Sequence, residues 1–366
     1  MLRSKPFQFT IWLLLIFLTI WVGSQISFVF YPLVVLITAI SLPVLGAGLL
    51  YYLINPAVDR LAQGRLPRTV IILLLYLAAA GLLVFTFVFL GPILQRQFLG
   101  LIDSAPEFLA YLHSEFLRLE ESAFFERFQE VEFFEAWRNI DYAEVVDNLV
   151  EAFMVNISTV LGYITNFFVV LFTIPFILFY MLKDGHRFPS AAAKILPGKY
   201  QKKGESILRE MSDTLSSYVQ GQLIVSLFVG TFVYIGYLIV GLDYAFLLAL
   251  FAAITNVIPY FGPFIGTIPG LFVALLESPW TALQVVIIIG VVQQLESQLI
   301  SPQVLGRKMA LHPVLIIFIL LTAGSLAGFV GLILAVPTFA VARVIVIHLY
   351  RFMAAKKQEE STASDN

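Results

Sequence analysis

The sequence predicts an all-α, polytopic membrane protein of about six to eight transmembrane helices, with two Gly/Pro-broken regions in its C-terminal half. Three observations predict it. Of the 366 residues, 60 % are hydrophobic and 13 % charged, whereas a soluble globular chain carries about a quarter charged residues. Apolar runs of spanning length recur along the chain. Two further apolar stretches are interrupted by Gly and Pro where a helix ought to continue.

Apolar runs fall at residues 7–23, 28–54, 69–90, 157–182 and 215–240, each close to the roughly 20 residues that a helical crossing needs. A cleaved leader is the rival reading of the first run, but no small-x-small cleavage site follows it. Basic residues cluster between the runs. Arg3 and Lys5 precede the first; Arg60, Arg65 and Arg68 follow the second. Seven Lys and Arg lie between Lys183 and Arg209, and Arg307, Lys308, Arg351, Lys356 and Lys357 complete the set. By the positive-inside rule these segments are cytoplasmic, so both termini are expected inside. Residues 91–156 hold 13 Asp and Glu against 4 Lys and Arg, and alternation places them outside.

Four regions follow. Residues 1–92 make an N-terminal three-span region, and 93–156 an extracytoplasmic region of amphipathic helices. Residues 157–357 make a transport core, and 358–366 a disordered acidic tail.

The first broken region reads Asn256-Val-Ile-Pro-Tyr-Phe-Gly-Pro-Phe-Ile-Gly266, with Pro269 beyond it. Pro259 and Pro263 remove donors from the helical ladder, while Gly262 and Gly266 let another backbone approach closely. The apolar segments on either side are too short to cross about 30 Å of hydrocarbon. A re-entrant hairpin with an acidic mouth at Asp243 and Glu277 is one reading; a pair of kinked spans is the other. The second region carries Gly324, Gly328, Gly331 and Pro337. Its basic flanks at Arg307, Lys308 and Arg343 suit a hairpin entering from the opposite side. Broken helices in lipid persist only where protein or a water-filled cavity surrounds them, and paired breaks point to a transporter's binding site.

Candidate ligand groups cluster near these breaks. Asn256 and Tyr260 offer an amide and a hydroxyl at the first break. N–H groups near Phe264, at the start of its second half, suit an anionic or hydroxyl-rich solute. Gln222 is a polar group near the start of the fifth run. In the helix after Trp280, Gln293, Ser297 and Ser301 stack at four-residue intervals, with Glu296 on their flank. A carboxylate at membrane depth is a functional candidate by default, able to bind a proton or cation. A position at the cytoplasmic interface is the alternative for Glu296, and helix-joining hydrogen bonds for the glutamines. The chain has no Cys and 4 dispersed His, so no metal and no cofactor is expected. No catalytic constellation and no Walker motif occurs, so neither an enzyme nor an ATP-driven pump is expected.

Together with Lys183-Asp-Gly185, Gly221-Gln222, Gln294-Leu-Glu-Ser-Gln-Leu-Ile-Ser-Pro302, Gly306, His312-Pro313 and Gly328-Phe-Val-Gly-Leu-Ile-Leu-Ala-Val-Pro337, the first broken region resembles the autoinducer-2 exporter family of permeases. The resemblance covers nearly the whole chain and is strongest from Asp184 onward. It implies a multi-pass protein of the bacterial or archaeal inner membrane. Members of that family are associated with export of the signal autoinducer-2, and others with sodium–proton exchange.

The resulting expectation is a secondary carrier or exporter for a small polar solute or an ion, with proton or sodium coupling at Glu296. Its partners are that substrate and membrane lipid, with no nucleic acid. Small residues in the broken helices also permit packing between protomers, which leaves a homo-oligomer open. An oligomeric channel and a membrane scaffold without transport are the rival readings.

Overall fold

The computed structural model describes residues 5–25, 27–104, 114, 118, 164–304 and 312–364. The amphipathic helices expected between 93 and 156 therefore fall mostly outside the described residues, as do Gly306, Arg307 and Lys308. Among the described residues the secondary structure is helical throughout. Helices α1 (Lys5–Gln25), α2 (Ser27–Leu61), α3 (Arg68–Asp103), α4 (Ile164–Asp184) and α5 (Gly198–Val240) come first. They are followed by α6 (Ala245–Thr255), α7 (Phe261–Glu277), α8 (Pro279–Leu295) and α9 (Pro313–Ser364). Five helices among the described residues are long and apolar enough to cross a membrane. Their outer faces are apolar, as at Phe87, which is 81 % exposed. The protein is thus a membrane-embedded, multi-pass helical protein.

Two helices outrun the apolar runs that predict them. Helix α3 continues through Pro92 to Asp103, across the expected boundary at residue 92. Helix α5 begins at Gly198, so part of the basic segment before the fifth run is helical. Its length of 43 residues corresponds to about 64 Å at 1.5 Å per residue, twice the hydrocarbon thickness. The backbone of α9 is helical to Ser364, where composition reads a disordered tail. Gln358, Glu359, Glu360 and Ala363 in that stretch are good helix formers.

Three apolar clusters hold the helices together. Ala47, Tyr51, Val58, Ile71, Ile72, Leu178 and Leu182 join α2, α3 and α4. A second cluster, around Val229, Val233, Tyr237, Leu248, Val273 and Val285, joins α5 to α6, α7 and α8. The third gathers Tyr218, Ile258, Ile316, Leu320, Ala335 and Val336 from α5, the α6–α7 turn and α9. At the basic end, Arg68 clamps three helices. Its Nε donates to the Leu182 carbonyl at 2.6 Å, and its other nitrogens reach Asp59 at 2.7 Å and Asn55 at 2.8 Å. The Leu182 carbonyl is one of the orphan acceptors at the end of α4, so Arg68 acts as its C-terminal partner.

Helices α6 and α7 form a hairpin. They contain 11 and 17 residues, about 16 and 26 Å at helical rise, so neither spans the hydrocarbon core. Gly262 and Gly266 let them approach. A Cβ on Gly266 would stand 2.7 Å from Thr255 Oγ1, and one on Gly262 would run into the Thr255 carbonyl. At the mouth, the Asp243 N–H donates to Glu277 Oε1 at 3.3 Å. Ser278 then caps α8, its Oγ accepting from the Thr281 N–H at 3.0 Å with Pro279 at the first helical position.

Helix α9 is also a hairpin. As one straight rod its 52 residues would be about 78 Å long. The helix breaks at Ala327 (φ −136°, ψ 17°) and Gly328 (φ 58°, ψ −139°). Across that break, a Cβ on Gly331 would overlap the Ala323 carbonyl, and one on Gly324 would lie 3.0 Å from Leu332 Cδ2. Residues eight apart in a continuous helix are separated by about 12 Å along the axis, so the chain has reversed direction. Length and hydropathy alone score Val314–Arg351 as a single candidate span. The contacts across Gly328 are direct geometry and decide for the hairpin.

The two hairpins open toward opposite ends of α5. Along α5, Tyr237 abuts Gly270 of the first hairpin, and Gln222 meets that hairpin's tip at Asn256. Near the other end, Glu210 Oε2 lies 2.7 Å from Nε2 of His348 on the returning arm of α9. Helix α3 secures the first hairpin's mouth, because the Leu247 N–H, an orphan donor of α6, gives its hydrogen to Gln97 Oε1 at 2.8 Å.

Candidate functional site

A cavity of about 760 Å³ opens where the first hairpin turns. Its walls come from α5 (Tyr218, Gln222), the hairpin tip and α7 (Asn256, Pro259, Tyr260, Pro263, Phe264, Thr267), the end of α8 (Gln293, Gln294, Glu296, Ser297, Ser301) and α9 (Ile316, Val336). Ile268, Leu271, Val286 and Ile289 supply an apolar wall. The volume falls in the 300–1,000 Å³ range of small-molecule sites, and a mostly apolar wall with a few convergent polar groups is their usual make-up.

The tip is held from α5. Gln222 is buried, and its Nε2 donates to the Asn256 carbonyl at 2.7 Å. Asn256 is itself buried. Tyr260 then takes φ 63° and ψ −48°, and the Phe261 N–H donates to the Pro259 carbonyl at 2.7 Å. This is a γ-turn of the rare, strained hand. A non-glycine residue at positive φ stores conformational energy that the surrounding packing must hold, and such residues gather at functional sites.

That turn alters one expectation. The N–H groups opening α7 were expected to be exposed to solute. The Phe261 N–H is taken by Pro259 and the Gly262 N–H by the Ile258 carbonyl at 2.8 Å, and Pro263 has none. The N–H groups of Phe261 and Gly262 are therefore not open to an anion.

The opposite wall is a π-helical turn. Residues Glu296–Ile300 wind with more residues per turn at the end of α8, and Ser301–Val304 return to α-helix. The stacking of Gln293, Ser297 and Ser301 assumed an unbroken α-helix. The inserted turn shifts that register, and the Ser301 hydroxyl donates to Glu296 Oε1 five residues back. Single π-turns of this kind are frequent at functional sites. Gln293, Glu296, Ser297 and Ser301 all reach the cavity.

Of the candidates named from sequence, Gln222, Asn256, Tyr260, Gln293 and Glu296 line the cavity together with Pro259 and Pro263. Gly262 and Gly266 face the backbone of α6 instead, where they set the hairpin's closeness. Pro269 lies within α7, outside the described lining. Gly324, Gly328, Gly331 and Pro337 belong to the second hairpin, which reaches the cavity through Ile316 and Val336. Tyr218 was missed. Its side chain is 5 % exposed, it lines the cavity, and its hydroxyl has no hydrogen-bond partner. Its four-residue spacing from Gln222 puts both on one face of α5, a signal masked by the 15 Tyr spread along the chain. Among the described residues no group of His, Asp and Glu is arranged to hold a metal ion.

Residues 10–351 match the AI-2E family transporter family. The chain is 42 % identical to "Putative transport protein YueF" of Bacillus subtilis over 367 aligned residues, covering 100 % of this chain and 99 % of YueF. It is 34 % identical over 351 residues to "Putative transport protein YrrI" of the same organism, covering 95 % and 98 %. "Putative permease PerM" of Escherichia coli shares 26 % identity over 197 residues, 52 % of this chain and 54 % of PerM. A match that runs through both hairpins and nearly all described helices shows that the chain belongs to the AI-2E transporter family.

Proposed function

We propose that the protein is a secondary carrier or exporter that moves a small polar solute, of the size of a signal such as autoinducer-2, or an ion. Glu296 then couples the movement to a proton or sodium gradient. The observation that supports this most is the cavity itself. It joins a strained hairpin tip to a π-turn that carries a carboxylate, inside a helical membrane protein of a transporter family. A carboxylate at membrane depth is costly unless protonated or paired, and a Glu296 so placed would tie its occupancy to transport. Alternating access comes from the first hairpin moving against α8 and α9, with Gln222 as its hold on α5. Membership of this family supports a location in the inner membrane of a bacterium or archaeon, and the positive-inside rule puts both termini in the cytoplasm. The reading is of a carrier rather than an enzyme.

The test is a single cysteine at Phe264, in a chain that has no native Cys. Oriented vesicles are labelled with a membrane-impermeant thiol reagent from each side. A carrier lets residue 264 react from both sides, with a balance that shifts when sodium or pH is changed. Reaction from one side only, under every condition, rejects alternating access. Glu296→Gln transport that keeps its dependence on pH and sodium removes the coupling role.

A further inference from the structure

We infer that the cavity selects a monovalent organic cation, its charged head at Glu296 with the Tyr218 hydroxyl beside the path and its apolar part along α7 and α8. The inference rests on the cavity being the carrier's binding site and names the class of solute it takes.

Charge is the first argument. Among the described residues lining the cavity, Glu296 is the one ionisable acid, and no Lys, Arg or His stands with it. Its partner is the neutral Ser301 hydroxyl. A carboxylate partly withdrawn from water, as Glu296 is, favours a proton or a cation as its partner. Among the described lining residues no positive group offsets that carboxylate for an anionic solute, and the N–H groups of Phe261 and Gly262 are already engaged.

The second argument is an unused polar group. The Tyr218 hydroxyl is buried without a partner in a wall of this cavity. Buried polar atoms are nearly always satisfied, and this one is closed off within the wall, so a small shift of the wall on binding would bring it to a ligand that completes it. A phenol oxygen accepts from an ammonium N–H, and its ring face attracts a cation.

Size and polarity narrow the class. A cavity of about 760 Å³ is far larger than one bare ion, so part of the occupant must fill space. Ile268, Leu271, Val286 and Ile289 line that space with hydrocarbon, which suits an apolar body and not a second charge.

The test uses three probes with one skeleton: 2-phenylethylammonium, phenylacetamide and phenylacetate. Binding to the whole protein in nanodiscs is measured by equilibrium dialysis against empty nanodiscs. The cation is expected to bind about tenfold or more tightly than the amide, and the anion more weakly still. Glu296→Gln should erase the preference for charge, Glu296→Asp should keep it, and Tyr218→Phe should weaken the cation severalfold while sparing the amide. Equal binding of cation and anion by the unaltered protein overturns the inference, even if Glu296→Gln does not fold. A preference that survives Glu296→Gln overturns it too. The labelling of residue 264 reports independently on alternation, so loss of the carrier reading and loss of the cation class are told apart.

Discussion

Gln222 and Asn256, 34 residues apart, are joined by one hydrogen bond of 2.7 Å from side-chain amide to backbone carbonyl. That bond fastens the tip of a hairpin to the long helix α5, and both partners are buried. Replacing Gln222 by Leu keeps the bulk and leaves the Asn256 carbonyl unsatisfied. The expected cost is about 1–3 kcal/mol of stability, read by chemical unfolding in detergent. An unchanged midpoint would show that the tip is held in some other way.

Tyr260 allows a sharper comparison. Tyr260→Ala and Tyr260→Gly both remove the ring from the cavity, but only glycine relaxes the positive φ of 63°. The glycine variant should be the more stable of the two, by about 1 kcal/mol or more. If alanine is equally stable, the turn is not strained in the folded protein.

The glycines of the second hairpin separate two kinds of cost. Gly328 has open space where a Cβ would go, but its φ of 58° with ψ of −139° is ground that only glycine occupies comfortably. Gly328→Ala should therefore cost about 1–3 kcal/mol through backbone conformation alone. Gly331→Ala should cost about as much by collision with the Ala323 carbonyl. Shortening a facing side chain can relieve neither, because Gly328 has no neighbour within reach and Gly331 meets the Ala323 carbonyl. Thermal unfolding of the two single variants and their double is the check.

Arg68→Lys should behave as a disruptive change. One guanidinium serves the Leu182 carbonyl, Asp59 and Asn55 at 2.6–2.8 Å, and an ammonium cannot match that fork. A loss of roughly 1–3 kcal/mol is expected, with the partly buried contact to Leu182 contributing most. Stability within experimental error of the parent would reduce the clamp to a surface ion pair.

The parts of this fold that were legible in the sequence are those set by composition over a window. The apolar runs at 28–54, 69–90 and 215–240 overlap three of the five helices long and apolar enough to cross, because lipid admits only residues of one kind over about 20 positions. The Gly and Pro of 256–266 marked a break in the helix, left open as a hairpin or a kink, because they remove ladder bonds and Cβ atoms in one place. Illegible parts depend on register or on remote partners. The π-turn at Glu296–Ile300 inserts within a stretch whose spacing fits a plain α-helix, so Ser301 meets Glu296 at an interval that pattern analysis does not test. Tyr218 became a site residue only when Ile258, Ile316 and Val336 closed around it. The extension of α3 to Asp103 is stabilised by partners more than a hundred residues away, Tyr244 beside Ser104 and Leu247 beside Gln97.

The reversal at Gly328 fixes a matter of parity. A stretch that turns back on itself contributes no net crossing, so the chain resumes on the side it left. Counted as one span, Val314–Arg351 sends the C-terminus to the far compartment; folded at Gly328, it returns Arg351 to the compartment of Pro313. A reporter fused after Arg351 and one inserted before Pro313 should then read the same side. A single glycine with φ of 58° thus decides which aqueous phase the tail of the protein meets.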